Sequence, residues 1–270
     1  MSNNFQEKRK TFTFVGFSGC GKTTLSQKLS NDGFFHYSID YEIANLLKNP
    51  IKQTVIENIS LESKLFQDLH SKFAVKLDLS LNFDDLELVT MFAIPMNQSK
   101  KINYKHFTAN QDCYKNAEYR ATQDFYNKAQ IAFKNYQISG FINDTTGSIC
   151  QVALNDTKLL NLIKENTTVI FFQTDDSHLE ILKERAKNKI KPILYDSNFF
   201  LKNLQEYYKT NDIDDSFEID KDFFFDIFPK LIDYRKSCYQ EFCQKTNAIS
   251  IPVDRLSSIA NSKDFFNLIS

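Results

Sequence analysis

Thr11-Phe12-Thr13-Phe14-Val15-Gly16-Phe17-Ser18-Gly19-Cys20-Gly21-Lys22-Thr23-Thr24-Leu25-Ser26-Gln27-Lys28-Leu29 is the stretch that decides the fold class. Residues 11–15 alternate β-branched and aromatic side chains in a short apolar run, as a buried strand requires. Residues 24–29 carry apolar positions four apart and end near Asp32-Gly33, where a helix would stop. Between them, Gly16 to Thr23 fit G-x-x-x-x-G-K-[ST], a loop whose backbone wraps a nucleotide's phosphates. Strand, glycine loop and helix in that order give the motif its structural context.

The residue types explain the chemistry. Gly16, Gly19 and Gly21 can take positive φ and let backbone N–H groups approach a phosphate, with the N-terminus of the next helix adding partial positive charge. Ser18 and Cys20 fill variable positions of the cradle. Lys22 reaches the β- and γ-phosphates, the Thr23 hydroxyl suits Mg²⁺, and Thr24 suits an α-phosphate oxygen. Cys20 is either a small filler or, if the helix N-terminus lowers its pKa, an oxidation-sensitive thiol.

Outward from this loop, strand and helix alternate, which argues for a parallel sheet covered on both faces. A second strand is expected near His36–Ile39, ending at Asp40, which can cap a helix over Tyr41–Lys48 that Pro50 closes. Strands are also expected at Ile138–Asp144, Thr167–Phe172 and Ala248–Val253. Asp175-Asp176-Ser177 should cap one helix, and a long helix is expected over Phe223–Lys245. Residues 51–135 lack that rhythm. Thr54–Phe73 and Asn116–Lys134 show helical spacing, the latter with Ala117, Ala121, Phe125, Ala129 and Phe133 on one stripe; Leu79–Asn82 reads as a possible strand. The expected organisation is a nucleotide-binding core of residues 1–50 and 136–270, with a helical insertion over 51–135 as substrate or partner subdomain.

Composition sets outer bounds. The 270 residues are 42% hydrophobic and suit one large domain or a core with an insertion. A net charge of -1 gives no overall basic field toward nucleic acid or anionic membrane. Five cysteines without a C-x-x-C pair, and four histidines away from metal-ligand spacing, point to reduced cytoplasmic thiols and neither disulfides nor zinc. The polar residues 1–10 do not read as a signal peptide, and no apolar run approaches membrane-spanning length.

Several residues outside the loop bear chemistry, each with a plain alternative. Asp144, at the end of an apolar strand, is the candidate carboxylate for Mg²⁺; otherwise it caps a helix. The turn Thr145-Thr146-Gly147-Ser148 offers amides and hydroxyls to a ligand. Asp40, on the same rim, can accept a proton from a substrate hydroxyl or merely cap. Residues 184–195 contain Arg185, Lys187, Lys189 and Lys191 ahead of Pro192. They fit a lid that closes Arg185 or Lys191 over the transferred phosphate, or a solvated helix end. Arg235 and Tyr239, one turn apart, suit an anionic substrate group; a surface salt bridge is the alternative.

With these residues in view, the chain resembles the small-molecule P-loop kinases of the shikimate and gluconate kinase type. The resemblance rests on Gly16–Thr24, Asp40, Arg185 to Leu194 and Arg235–Tyr239. Ser38 stands where shikimate kinases carry a first acidic residue, and only Gly147 remains of their glycine-rich turn. It is more similar to a group of bacterial proteins known only as P-loop ATPases, through Tyr37–Tyr41, Asn143–Ser148 and Lys191–Tyr195. These resemblances imply a three-layer α/β P-loop NTPase fold with a five-stranded parallel sheet ordered 2-3-1-4-5. They also imply ATP as the nucleotide, with Mg²⁺. Two functions are expected. The first is a kinase moving the γ-phosphoryl group to a small acceptor, with Lys22, Asp40, Asp144, Arg185 and Lys191 catalytic, and Asp40, Arg235 and Tyr239 at the substrate. The second is a slow ATPase switch that binds a protein or RNA partner through Tyr104, Phe107, Tyr114, Tyr119 and Tyr126; helical-core packing is the plain use of those rings.

Overall fold

The computed structural model describes residues 10–53, 87–94, 101–188, 193–211 and 218–270, with side chains for all of these but 87–88 and 185–188. Two compact units are distinguished. The first comprises Met1–Ile39, Glu118–Lys189 and Asp226–Ser270; the second comprises Asp40–Ala117 and Ile190–Phe225. The second unit therefore draws on two chain segments, whereas the sequence pattern predicts a single insertion over 51–135.

In the first unit, β1 (Thr11–Val15), β2 (Phe34–Ser38), β4 (Gly140–Asp144), β5 (Thr168–Gln173) and β7 (Ile249–Pro252) form one parallel sheet in the order β2-β4-β1-β5-β7. The five strands of this sheet, counted among themselves, run 2-3-1-4-5; the numbering shifts because two short strands, β3 (Lys101–Asn103) and β6 (Glu218–Asp220), pair elsewhere. Strand β1 lies centrally, with β4 and β5 on its two sides, so the glycine loop leaves the middle of the sheet's C-terminal edge.

The pleat divides β1 between two cores. Phe12 and Phe14 point into a cluster with Ile142, Ile170, Phe172 and Ile251, closed by Leu25 and Leu29 of α1 (Lys22–Ser30) and by Phe265 of α10 (Ser262–Ile269). Ring contacts bind it: Phe12 meets Phe265 edge-on at 5.2 Å, and Phe14 lies 5.1 Å from Phe172. Thr13 alternates to the other face, where the Asn143 amide donates to its hydroxyl at 3.2 Å. On that face Tyr37 of β2 donates to the Ala121 carbonyl of α4 (Tyr104–Asn135) at 3.0 Å.

The remaining helices of the first unit are α5 (Ile149–Leu154), α6 (Thr157–Asn166), α7 (Asp176–Asn188) and most of α9 (Lys221–Thr246), which carries Pro229 within it. Asp175 accepts from the His178 N–H at 2.7 Å, so the expected cap of α7 is present. Helix α2 starts at Ile39 and runs to Leu46, directly after β2. Asp40 therefore lies in its first turn and is not its cap.

In the second unit, β3 and β6 are antiparallel, with Ile102 opposite Ile219. Phe107, Tyr195, Phe200, Phe223 and Phe224 pack as a group, Phe107 stacking on Phe200 at 4.6 Å. Gln111 accepts from the Tyr195 N–H at 3.1 Å, and Asn110 donates to the carbonyl of Phe92 in α3 (Glu87–Ala93) at 2.7 Å. The segment from Ser197 to Thr210 forms α8. The aromatic docking surface expected on 104–126 is not exposed: Phe107 and Tyr114 are buried, and Tyr104, Tyr119 and Tyr126 are half-buried. The expected helix over Thr54–Phe73 and the strand at Leu79–Asn82 lie outside the described residues. Among the described residues, no helix is long and apolar enough to cross a membrane.

Phe14→Ala should lower unfolding stability by about 3–5 kcal/mol, the usual cost of removing a fully buried ring. Phe35→Ala, at a partly exposed ring stacked on Phe141, should cost far less; urea denaturation separates the two.

Candidate functional site

At the end of β1 the chain turns through Gly16, Gly19 and Gly21, with φ of 151°, 88° and 98°. Gly19 and Gly21 are in the left-handed region that a side chain resists. Gly21 precedes α1 without any side-chain cap, which leaves the first N–H groups of the helix to another partner.

Lys22 opens that helix and is 6% exposed. Its ammonium donates to the carbonyls of Gly16 at 2.9 Å and Phe17 at 3.1 Å, and lies 4.0 Å from the Cys20 sulfur. A buried cation needs such partners because leaving water without them is costly. Around it, Ser18, Gly19 and Thr24 are exposed and Thr23 is half-buried. The side-chain hydroxyls of Ser18, Thr23 and Thr24 make no hydrogen bond among the described residues.

The loop is braced from behind. Tyr239, 1% exposed on α9, places its hydroxyl 2.8 Å from the Gly16 carbonyl and 3.1 Å from that of Gly147. Burial pushes its phenol well above the ordinary value, so it remains a donor. Arg235, one turn away and 4% exposed, donates through Nε to Gln151 at 2.8 Å. Both residues expected at a substrate are thus engaged inside the protein, one holding the loop and the other the helix behind it.

Asp144 ends β4 beside Phe14, one residue before the strand enters Val15 and the loop. It is 4% exposed, and its carboxylate meets His36 Nε2 at 3.0 Å. The histidine gives no sequence signal for this role. It becomes visible only when β2 and β4 pair, bringing it to the same rim.

The turn after Asp144 is occupied internally. Thr145 donates to the Phe14 carbonyl at 2.7 Å. Thr146 and Ser148 both donate to the carboxylate of Glu118, the Ser148 hydroxyl at 2.8 and 2.9 Å from its two oxygens. These hydroxyls therefore do not face a ligand. Glu118 is fully buried on α4, at a position the sequence pattern left unmarked.

Cys20 is 3% exposed, and burial pushes its thiol up against the opposing pull of Lys22. That direction is opposite to the lowering an oxidation-sensitive thiol needs, and the burial is what a small filler would show. Asp40 is half-buried in the second unit. Arg185 falls within α7, but its side chain, and Lys191 altogether, lie outside the described residues. Among the described residues, no cluster of three or more His, Cys, Asp or Glu side chains could hold a metal ion unaided.

Beside the loop opens a cleft of about 270 Å³, lined among others by Gly19, Gly21, Thr24, His178, Val253 and Leu256. Compared with models of protein families and with curated proteins, the chain matches none.

Tyr239→Phe should destabilise the protein by about 1–3 kcal/mol, because the carbonyls of Gly16 and Gly147 lose the one hydroxyl proton they share; thermal melting checks this. The Cys238 thiol, on the same helix, is lowered to about 7 chiefly by a hydrogen bond from Cys150, whose own thiol burial pushes well up. Cys238 should therefore become thiolate as pH rises through about 7. Its alkylation by iodoacetamide, followed by mass spectrometry, should climb over that range while Cys20 and Cys150 stay protected in folded protein.

Proposed function

We propose that this chain is an ATP-binding, Mg²⁺-dependent phosphotransferase that moves the γ-phosphoryl group to a small acceptor. The observation that carries this reading is the glycine loop at the end of the central strand, curled around the buried Lys22 ammonium. Lys22 would exchange its two neutral carbonyl acceptors for anionic phosphate oxygens, which attract a cation more strongly. The uncapped N–H groups of α1 and the left-handed glycines supply further donors to polyphosphate.

The donor set fits magnesium. Mg²⁺ takes hard oxygen ligands and usually only one or two from protein, with phosphates and waters completing the octahedron. The unbonded Thr23 hydroxyl and the Asp144 carboxylate are ligands of that kind, Asp144 directly or through a water. When bound, the ion would neutralise charge on the transferred phosphoryl group. His36 would then orient the Asp144 carboxylate from its far side. The cleft lined by the loop and by residues 253–257 lies beside these donors and would take the nucleoside. By the resemblance, Asp40 would take the acceptor's proton and Arg185 or Lys191 would close over the phosphates.

A second reading is transfer to water, in a slow ATPase that serves a protein or RNA partner. It is favoured by one observation: Arg235 and Tyr239, the groups assigned to an acceptor, are buried and committed to Gln151, Gly16 and Gly147.

Lys22→Ala should weaken Mg·ATP binding about 10- to 150-fold in calorimetry, matching about 1.5–3 kcal/mol for hydrogen bonds to a charged group. Unchanged affinity in a folded variant refutes the reading. With wild-type protein, Mg·ATP and a metabolite pool, phosphorus NMR should reveal a new phosphorylated species. Free phosphate as the sole product establishes the second reading in its place.

A further inference from the structure

We propose that Glu118 is a positioning residue of the phosphate site, acting through the turn Thr145–Ser148; this rests on the nucleotide-binding role of the loop. Three observations converge on it. First, Glu118 is fully buried on a helix stripe whose neighbours are Tyr114, Ala117, Ala121 and Phe125, all at most 4% exposed. An apolar side chain would be the ordinary occupant, since a buried carboxylate is costly unless several donors hold it. Second, donors do hold it: Thr146 Oγ1 and Ser148 Oγ both point at its oxygens, and Thr146 Oγ1 also accepts from the Ser148 N–H at 3.2 Å. The carboxylate thus fixes both ends of a three-residue bend with Gly147 at its apex.

Third, that apex rests against the phosphate loop. A Cβ on Gly147 would stand 2.9 Å from the Ser18 nitrogen, and the Tyr239 hydroxyl ties the Gly147 carbonyl to that of Gly16. Only Thr145 separates this bend from Asp144, the candidate magnesium ligand. Glu118 therefore controls the placement of the bend that backs the loop at Ser18 and of the strand end that carries Asp144. It touches neither nucleotide nor metal itself. Displacements of about 1 Å in such a constellation cost about 100-fold in rate without removing any reacting group.

The test uses the full chain with Mg·ATP, measuring phosphate release, ADP affinity and melting. Glu118→Gln keeps the shape but replaces one of the two acceptor oxygens with an amide nitrogen, and Ser148→Ala removes one of the bonded hydroxyls from the opposite side. For each, kcat should fall about 10- to 100-fold, with KM and ADP affinity within about threefold and the melting transition retained. The double variant should be no worse than the poorer single one, because both changes break one unit. Variants that lose only thermal stability, with kcat per folded molecule equal to wild type, overturn the proposal, as does full additivity in the double variant. If Glu118→Gln does not fold, Ser148→Ala alone decides by the same criteria. Wild-type protein that binds neither ATP nor ADP would instead refute the reading of the loop itself.

Discussion

The Lys22 ammonium is a full positive charge under cover, and most of the site can be derived from what keeps it there. A cation removed from water must find oxygen, and among the described residues the carbonyls of Gly16 and Phe17 supply it. Presenting two successive carbonyls to one point and then turning back into α1 demands a backbone path that L side chains resist. The left-handed glycines at 19 and 21 supply that path. It also requires an anchor on the far side of the Gly16 carbonyl, which Tyr239 provides. The sheet order completes the arrangement: with β1 between β4 and β5, the loop emerges flanked by Asp144 and by the end of β5.

The strands and the loop were legible because their signals are local. Runs of β-branched and aromatic residues at 11–15 and 168–172, and a strict glycine spacing at 16–21, carry their meaning within a few residues. Boundaries moved by only one to three residues: β2 ends at Ser38 and β4 starts at Gly140. What escaped detection depends on partners far away in sequence. Strands β3 and β6 are three residues each and find one another across more than 110 positions. His36 acquires its role only by pairing with Asp144, 108 residues on. Glu118 lies on the apolar stripe of α4, and a helical pattern gives no reason for a carboxylate there until Thr146 and Ser148 are opposite it. Arg235 and Tyr239 were recognised as sharing a face, but whether that face looks outward or inward is set by tertiary packing. It looks inward.

The polar side chains of the site divide accordingly into two sets. Those turned inward are satisfied by the protein: Tyr239 on two carbonyls, Arg235 on Gln151, Thr145 on Phe14, and Thr146 and Ser148 on Glu118. Those turned outward, Ser18, Thr23 and Thr24, have hydroxyls with no protein partner among the described residues. This asymmetry has an energetic consequence. A loop ordered by its own scaffold loses little conformational freedom when an anion arrives, so less of the interaction energy is spent on ordering it. On the proposed reading, donors fixed in place beforehand would also need no reorganisation as charge develops on the transferred group. The burial of Glu118, Arg235 and Tyr239 then makes sense as scaffold: groups that hold the geometry are kept away from the solvent that would compete with them, and the surface left over is the one that can meet a phosphate.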